Sequence, residues 1–131
     1  MNNKNYYFSN ASVNDRINKE KINISDIGLS FKIINASCKD IADNKTNIEV
    51  SELIIEELSE LIKAVVKLQR WDNGETTLRY NIDEINNNLY EELGDVIIMM
   101  LQFIYKNKIE YKELLNKMCE KLIRYYETKQ E

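Results

Sequence analysis

The sequence predicts an all-α protein, a four-helix up-and-down bundle preceded by an extended N-terminal arm. The chain has no proline and only three glycines in 131 residues, which argues against a loop-rich or many-turned β fold. Four stretches also carry apolar residues at helical spacing, and polar segments separate them.

Residues 1–24 are rich in Asn, Lys and Ser with weak periodicity, and form the expected arm, extended or partly disordered; residues 25–131 form the expected domain. Ser25 or Asp26 caps a first helix reaching about Ala42, with Ile27, Phe31, Ile34, Cys38 and Ile41 on one face. Asn47 caps a second helix whose broad apolar face, from Val50 to Leu68, ends near Arg70 before Trp71-Asp72-Asn73-Gly74 breaks it. A polar linker follows. The third helix starts at about Asp83 or Asn88 and runs to Lys106, with a turn at Asn107-Lys108. The fourth runs from about Glu110 to Lys129 and is expected to turn Leu114, Leu115, Met118, Leu122 and Ile123 inward. The third helix has more apolar circumference than a small monomer can cover, which predicts a subunit interface.

Two pairs of acids interrupt these apolar faces. At about 100° per residue, Glu57 falls in line with Val50, Leu61, Ala64 and Leu68, and Glu92 with Val96, Met99 and Phe103; Glu60 and Asp95 sit at the edges of the same arcs. Acids on helices are usually solvated and paired with Lys. Here no Lys or Arg stands within four residues of Glu92 or Asp95, and the second pair leads into the apolar run Val96-Ile97-Ile98-Met99-Met100-Leu101. Two carboxylates about 4 Å apart repel by roughly 4 kcal/mol at an effective dielectric near 20, so acids gathered on facing helices need protons or a cation.

The ligand types narrow the cation. There is no His, and Cys38 and Cys119 are isolated, so zinc, haem and ferritin-like di-iron patterns cannot be written. An oxygen-only set favours Mg²⁺, with Mn²⁺ as the alternative, each keeping waters and meeting substrate phosphates. A formal charge of −4 excludes the broad basic face of a nucleic-acid binder. Met1-Asn2-Asn3-Lys4-Asn5-Tyr6-Tyr7 has no apolar core, and no segment is apolar enough to span a bilayer, so a cytoplasmic protein without a membrane partner is expected.

The pattern Glu-Glu-x-x-Glu, a spacer, then Glu-x-x-Asp, here Glu56, Glu57, Glu60, Glu92 and Asp95, resembles the all-α nucleoside triphosphate pyrophosphohydrolases. This is the MazG-like group with its dUTPase, dCTPase and phosphoribosyl-ATP pyrophosphohydrolase relatives. EELSELIKAVVK from Glu56 and EELGDVIIMM from Glu91 are close to its two motif helices, and Lys121-Leu122-Ile123-Arg124 is similar to the Lys-x-x-Arg of its final helix. The resemblance covers about residues 29 to 128.

It implies a MazG-type bundle that pairs as a homodimer or larger homo-oligomer. It also implies Mg²⁺-dependent hydrolysis of a (d)NTP to (d)NMP and pyrophosphate, in nucleotide-pool house-cleaning. Glu57, Glu60, Glu92 and Asp95 would be the metal ligands, and Glu56 would orient or deprotonate the attacking water unless it is a plain surface acid. Lys121 and Arg124 would contact the β and γ phosphates, or else pair with Glu120 and Glu127. Gln102 would meet sugar or base, or be a satisfied core amide. Trp71 and Tyr80 offer rings for stacking on a base, against packing as the bland role of a lone Trp ending a helix. A non-catalytic helical module binding a nucleotide or protein is the alternative from another class, and phosphoribosyl-ATP hydrolysis is the alternative within the enzymes.

Overall fold

A computed structural model describes residues 27–75 and 79–129; the expected arm at residues 1–24 lies outside them. The described residues form four helices and no strand: α1 (Ile27–Asp43), α2 (Asn47–Asp72), α3 (Ile82–Lys106) and α4 (Tyr111–Thr128). The all-α architecture read from the sequence is the one observed.

Both long helices start with a capping box. Thr46 Oγ1 accepts from the Glu49 amide at 3.1 Å and the Glu49 carboxylate accepts from the Thr46 amide at 2.6 Å, satisfying two otherwise orphaned donors. Those hydrogen bonds hold the Glu49 carboxyl below its ordinary value. Asn81 and Glu84 repeat the arrangement at the start of α3. Thr46→Ala should lower the melting temperature by about 3 °C, the effect of losing one N-cap, read by calorimetry against wild type. At the far end of α2 the chain turns out through Gly74, whose φ of 75° is the left-handed conformation that glycine adopts without a Cβ clash.

The α3 helix is the centre of the molecule, packing on α2 along one face and on α1 along another. Lys67 neighbours Glu84 and Ile85 at one end of the α2–α3 pair, Glu57 meets Glu92 in the middle, and Lys45 meets Gln102 at the other. The two helices are therefore antiparallel. Val50 and Ala64 of α2 are buried with Ile85, Val96 and Met99 of α3. Cys38 and Ala42 of α1 complete the core, and burial pushes the Cys38 thiol up to about 11, opposed by the charge of Lys45. Cys38 is thus a core residue and not a nucleophile. Tyr105 near the end of α3 donates its hydroxyl to Asp43 at 2.7 Å, tying α3 to the end of α1.

Three features differ from the sequence expectation. The cap of α2 is Thr46, not Asn47, because the Thr46 hydroxyl, three residues before Glu49, completes the reciprocal box and Asn47 is already the first helical residue. The third helix begins at Ile82, not Asp83 or Asn88, because the Asn81–Glu84 box sits inside the stretch read as linker. The fourth helix buries none of its residues, and Leu115, Met118, Leu122 and Ile123, expected to face inward, are more or less half exposed. Its start is held near α1 by Tyr111, whose hydroxyl donates to Asn35 at 3.3 Å. Among the described residues nothing buries its apolar side.

A second set of exposed apolar residues runs along α2 and α3. Ile55, Leu58, Ile62 and Val65 follow one another at alternating three- and four-residue steps, and so do Tyr90, Leu93, Ile97 and Met100; all are exposed. This is the spacing of a helix-pairing seam. Counted at about 100° per residue, both seams lie roughly 90–120° to one side of the faces where α2 and α3 meet. Glu60 and Asp95 lie roughly 70–80° to the other side. In an antiparallel pair the seams share one side and the acids the opposite one.

Candidate metal centre

Three carboxylates meet between the two motif helices. Oxygens of Glu57 from α2 and of Glu92 and Asp95 from α3 all lie within 4.8 Å of one another. Glu92 and Asp95 are brought together by one helical turn, and Glu57 reaches them because Ala64, wholly buried one face along α2, lets the helices approach closely. Glu57 and Glu92 are half-buried and Asp95 is exposed. None of the three forms an ion pair with a described Lys or Arg.

The cost appears on Glu57. Partial burial raises its carboxyl above the ordinary value, and the charges of Asp95, Glu56, Glu92 and Glu60 raise it further. An oxygen-only set with unbalanced negative charge, opening to solvent at Asp95, fits a hard divalent cation that retains waters.

The other expected site residues divide. Glu60 lies beside this group without joining it, since its carboxylate accepts from Lys63 at 2.9 Å. Glu56 is exposed and lines a groove of about 300 Å³ with Asn44, Lys45, Glu49, Glu52 and Leu53. Gln102 is buried two turns beyond Asp95, its side-chain oxygen accepting from the Lys45 ammonium at 3.1 Å. Trp71 sits fourteen residues past Glu57, about 21 Å along α2 at 1.5 Å per residue, and does not join the carboxylates. Lys121 and Arg124 are exposed on α4, which is not packed against α2 or α3 in its own chain.

Sequence reasoning missed Lys45. It stands in the turn between α1 and α2, outside every periodic stretch, and nothing local marks it; only the fold brings it to a glutamine 57 positions away.

Across residues 45–128, the chain matches the family described as the MazG nucleotide pyrophosphohydrolase domain. The chain belongs to that family. The match takes in α2, α3 and α4 and leaves α1 outside it. Comparison with curated proteins and with solved structures found no match. The matched range takes in the α2 and α3 segments that bring the Glu57, Glu92 and Asp95 carboxylates together. No helix among the described residues is long and apolar enough to cross a membrane.

Proposed function

We propose that this MazG domain is a Mg²⁺-dependent pyrophosphohydrolase that splits a nucleoside triphosphate into the monophosphate and pyrophosphate, serving to clear or balance the nucleotide pool. The observation that carries the reading is the convergence of Glu57, Glu92 and Asp95 without an ion pair to any Lys or Arg among the described residues. Bound Mg²⁺ would neutralise these acids and the phosphates, acidify a water and stabilise charge on the departing oxygen.

The chain's own groups supply the rest. Glu57, Glu92 and Asp95 hold the ion, and Glu60 joins them by a side-chain rotation away from Lys63, with which it makes an exposed pair that costs little to break. Glu56, next to Glu57 and without a hydrogen bond to a cation among the described residues, orients and deprotonates the attacking water from the open side. Gln102, buried and held through its side-chain oxygen by Lys45, acts as a satisfied core amide that ties the α1–α2 turn to α3 rather than as a substrate contact. Lys121, Arg124 and Trp71 lie away from the carboxylates and contact substrate only after rearrangement; a homodimer or larger homo-oligomer, paired through the exposed seams of α2 and α3, is the working unit.

The test is pyrophosphate release from each ribo- and deoxynucleoside triphosphate with Mg²⁺, Mn²⁺ or EDTA, in ¹⁸O-labelled water. Labelled monophosphate with pyrophosphate is expected, and only with metal. Orthophosphate and a diphosphate as first products would overturn the reading and leave the family membership as a statement of fold.

A further inference from the structure

Two grooves open on the acid-bearing side of α2 and α3, one at each end of the carboxylate group, and they differ in chemistry. The groove toward the α1–α2 turn is lined by Asn44, Lys45, Glu49, Glu52, Leu53 and Glu56, with three acids and no ring. The groove at the other end has a volume of about 310 Å³ and is lined by Tyr80, Lys67, Ile85, Asn87, Asn88 and Glu91, together with Glu84. Tyr80 is half exposed, and the Lys67 ammonium stands 4.9 Å from its ring centroid.

A nucleoside offers a flat π face and an edge of donors and acceptors. An aromatic face with carboxamides beside it matches both, whereas the other groove offers the Asn44 amide and the Lys45 ammonium among three carboxylates but no ring for the π face. The distances agree. Asn88 is one helical turn before Glu92, and Glu91 one turn before Asp95, about 6 Å along the axis, while Lys67 is ten residues from Glu57, about 15 Å. The groove therefore begins where a substrate whose α-phosphate sits at the carboxylates would place its sugar, and extends as far as its base. Asn87 already donates to Glu91 at 3.1 Å, so one amide is held in orientation while Asn88, half-buried, lines the groove nearer the acids.

We propose that this groove is the nucleoside subsite: the base stacks on the Tyr80 ring, and the amide of Asn88 meets the sugar or the base edge. Its role as the substrate-end of a hydrolytic site rests on the pyrophosphohydrolase reading; binding of a nucleoside there does not.

The experiment uses the full chain, wild type and Tyr80→Ala, Tyr80→Trp and Asn88→Ala, with circular dichroism confirming that each stays helical. Binding of nucleoside monophosphates without metal is measured by calorimetry, and hydrolysis of nucleoside triphosphates and of inorganic tripolyphosphate with Mg²⁺. Loss of one stacking partner should weaken monophosphate binding and raise KM for triphosphates by roughly tenfold to a hundredfold. The kcat, and any turnover of tripolyphosphate, which has no base, should be retained, and Tyr80→Trp should restore binding. Unchanged monophosphate affinity and KM in Tyr80→Ala and Asn88→Ala would overturn the subsite. Failure of the wild type to hydrolyse any triphosphate, with Tyr80-dependent monophosphate binding intact, would overturn the hydrolytic reading and support the subsite.

Discussion

Asp95→Asn is expected to stabilise the metal-free protein while removing catalysis. The substitution keeps the shape of the side chain and deletes one of three negative charges whose oxygens lie within 4.8 Å of one another. Because the group opens to solvent, each of the two lost repulsions, with Glu57 and with Glu92, is closer to the aqueous limit of about 1 kcal/mol than to a buried value, so a rise of about 6 °C in the melting temperature with EDTA is expected. With Mg²⁺ the order should invert, since wild type gains the binding free energy of the ion and the variant does not. Replacing even a partner of a metal ligand costs ten- to a hundredfold in activity, so loss of a ligand should lower kcat by roughly a hundredfold or more. Turnover equal to wild type would remove Asp95 from the ligand set.

The same group gives the metal-free protein a pH dependence of definite sign. The Glu57 carboxyl is raised in the folded chain, first by partial burial and then by Asp95, Glu56, Glu92 and Glu60, and unfolding returns it to its ordinary value. Above that ordinary value the unfolded chain has released a proton that the folded chain still partly holds, so stability falls as pH rises through the raised value. Melting temperatures of EDTA-treated protein should therefore show a downward contribution above the ordinary carboxylate range, and Asp95→Asn should flatten it. A steeper fall in the variant would contradict the assigned cause.

What could be read in advance follows from the range of the interactions involved. Helix spacing, the break at Trp71–Gly74 and the inward line of Glu57 and Glu92 depend on residues within a turn or two of one another, and each was legible. Glu60 was not: its place on the arc permits either the carboxylate group or Lys63, and only a side-chain rotation decides between them. The pairing of Lys45 with Gln102 depends on where α1 turns into α2 and carries no local signature. For α4 the apolar face was legible and its neighbour was not, since periodicity reports that a face is to be covered and never by what.

That last distinction makes the seam on α2 and α3 the place for the second large effect. Ile62→Lys is expected to separate the oligomer while leaving the fold of one chain intact. In the single chain Ile62 is 64% exposed, and a lysine there meets water, so a monomeric protein would lose little. If Ile55, Leu58, Ile62 and Val65 pair with their counterparts and with Tyr90, Leu93, Ile97 and Met100 of a second copy, each Ile62 side chain buried is worth about 1.5–3 kcal/mol. A two-fold interface counts the change twice, giving roughly 3–6 kcal/mol, or a weakening of the dissociation constant by about 10² to 10⁴. Sedimentation at micromolar concentration should then show monomer for Ile62→Lys and a larger species for wild type, whose melting temperature should also rise with protein concentration. The seams lie on the side of α2 and α3 opposite the carboxylates, so an assembly through them leaves both grooves open to substrate. The same mass for both proteins at every concentration would show that this face stays in water.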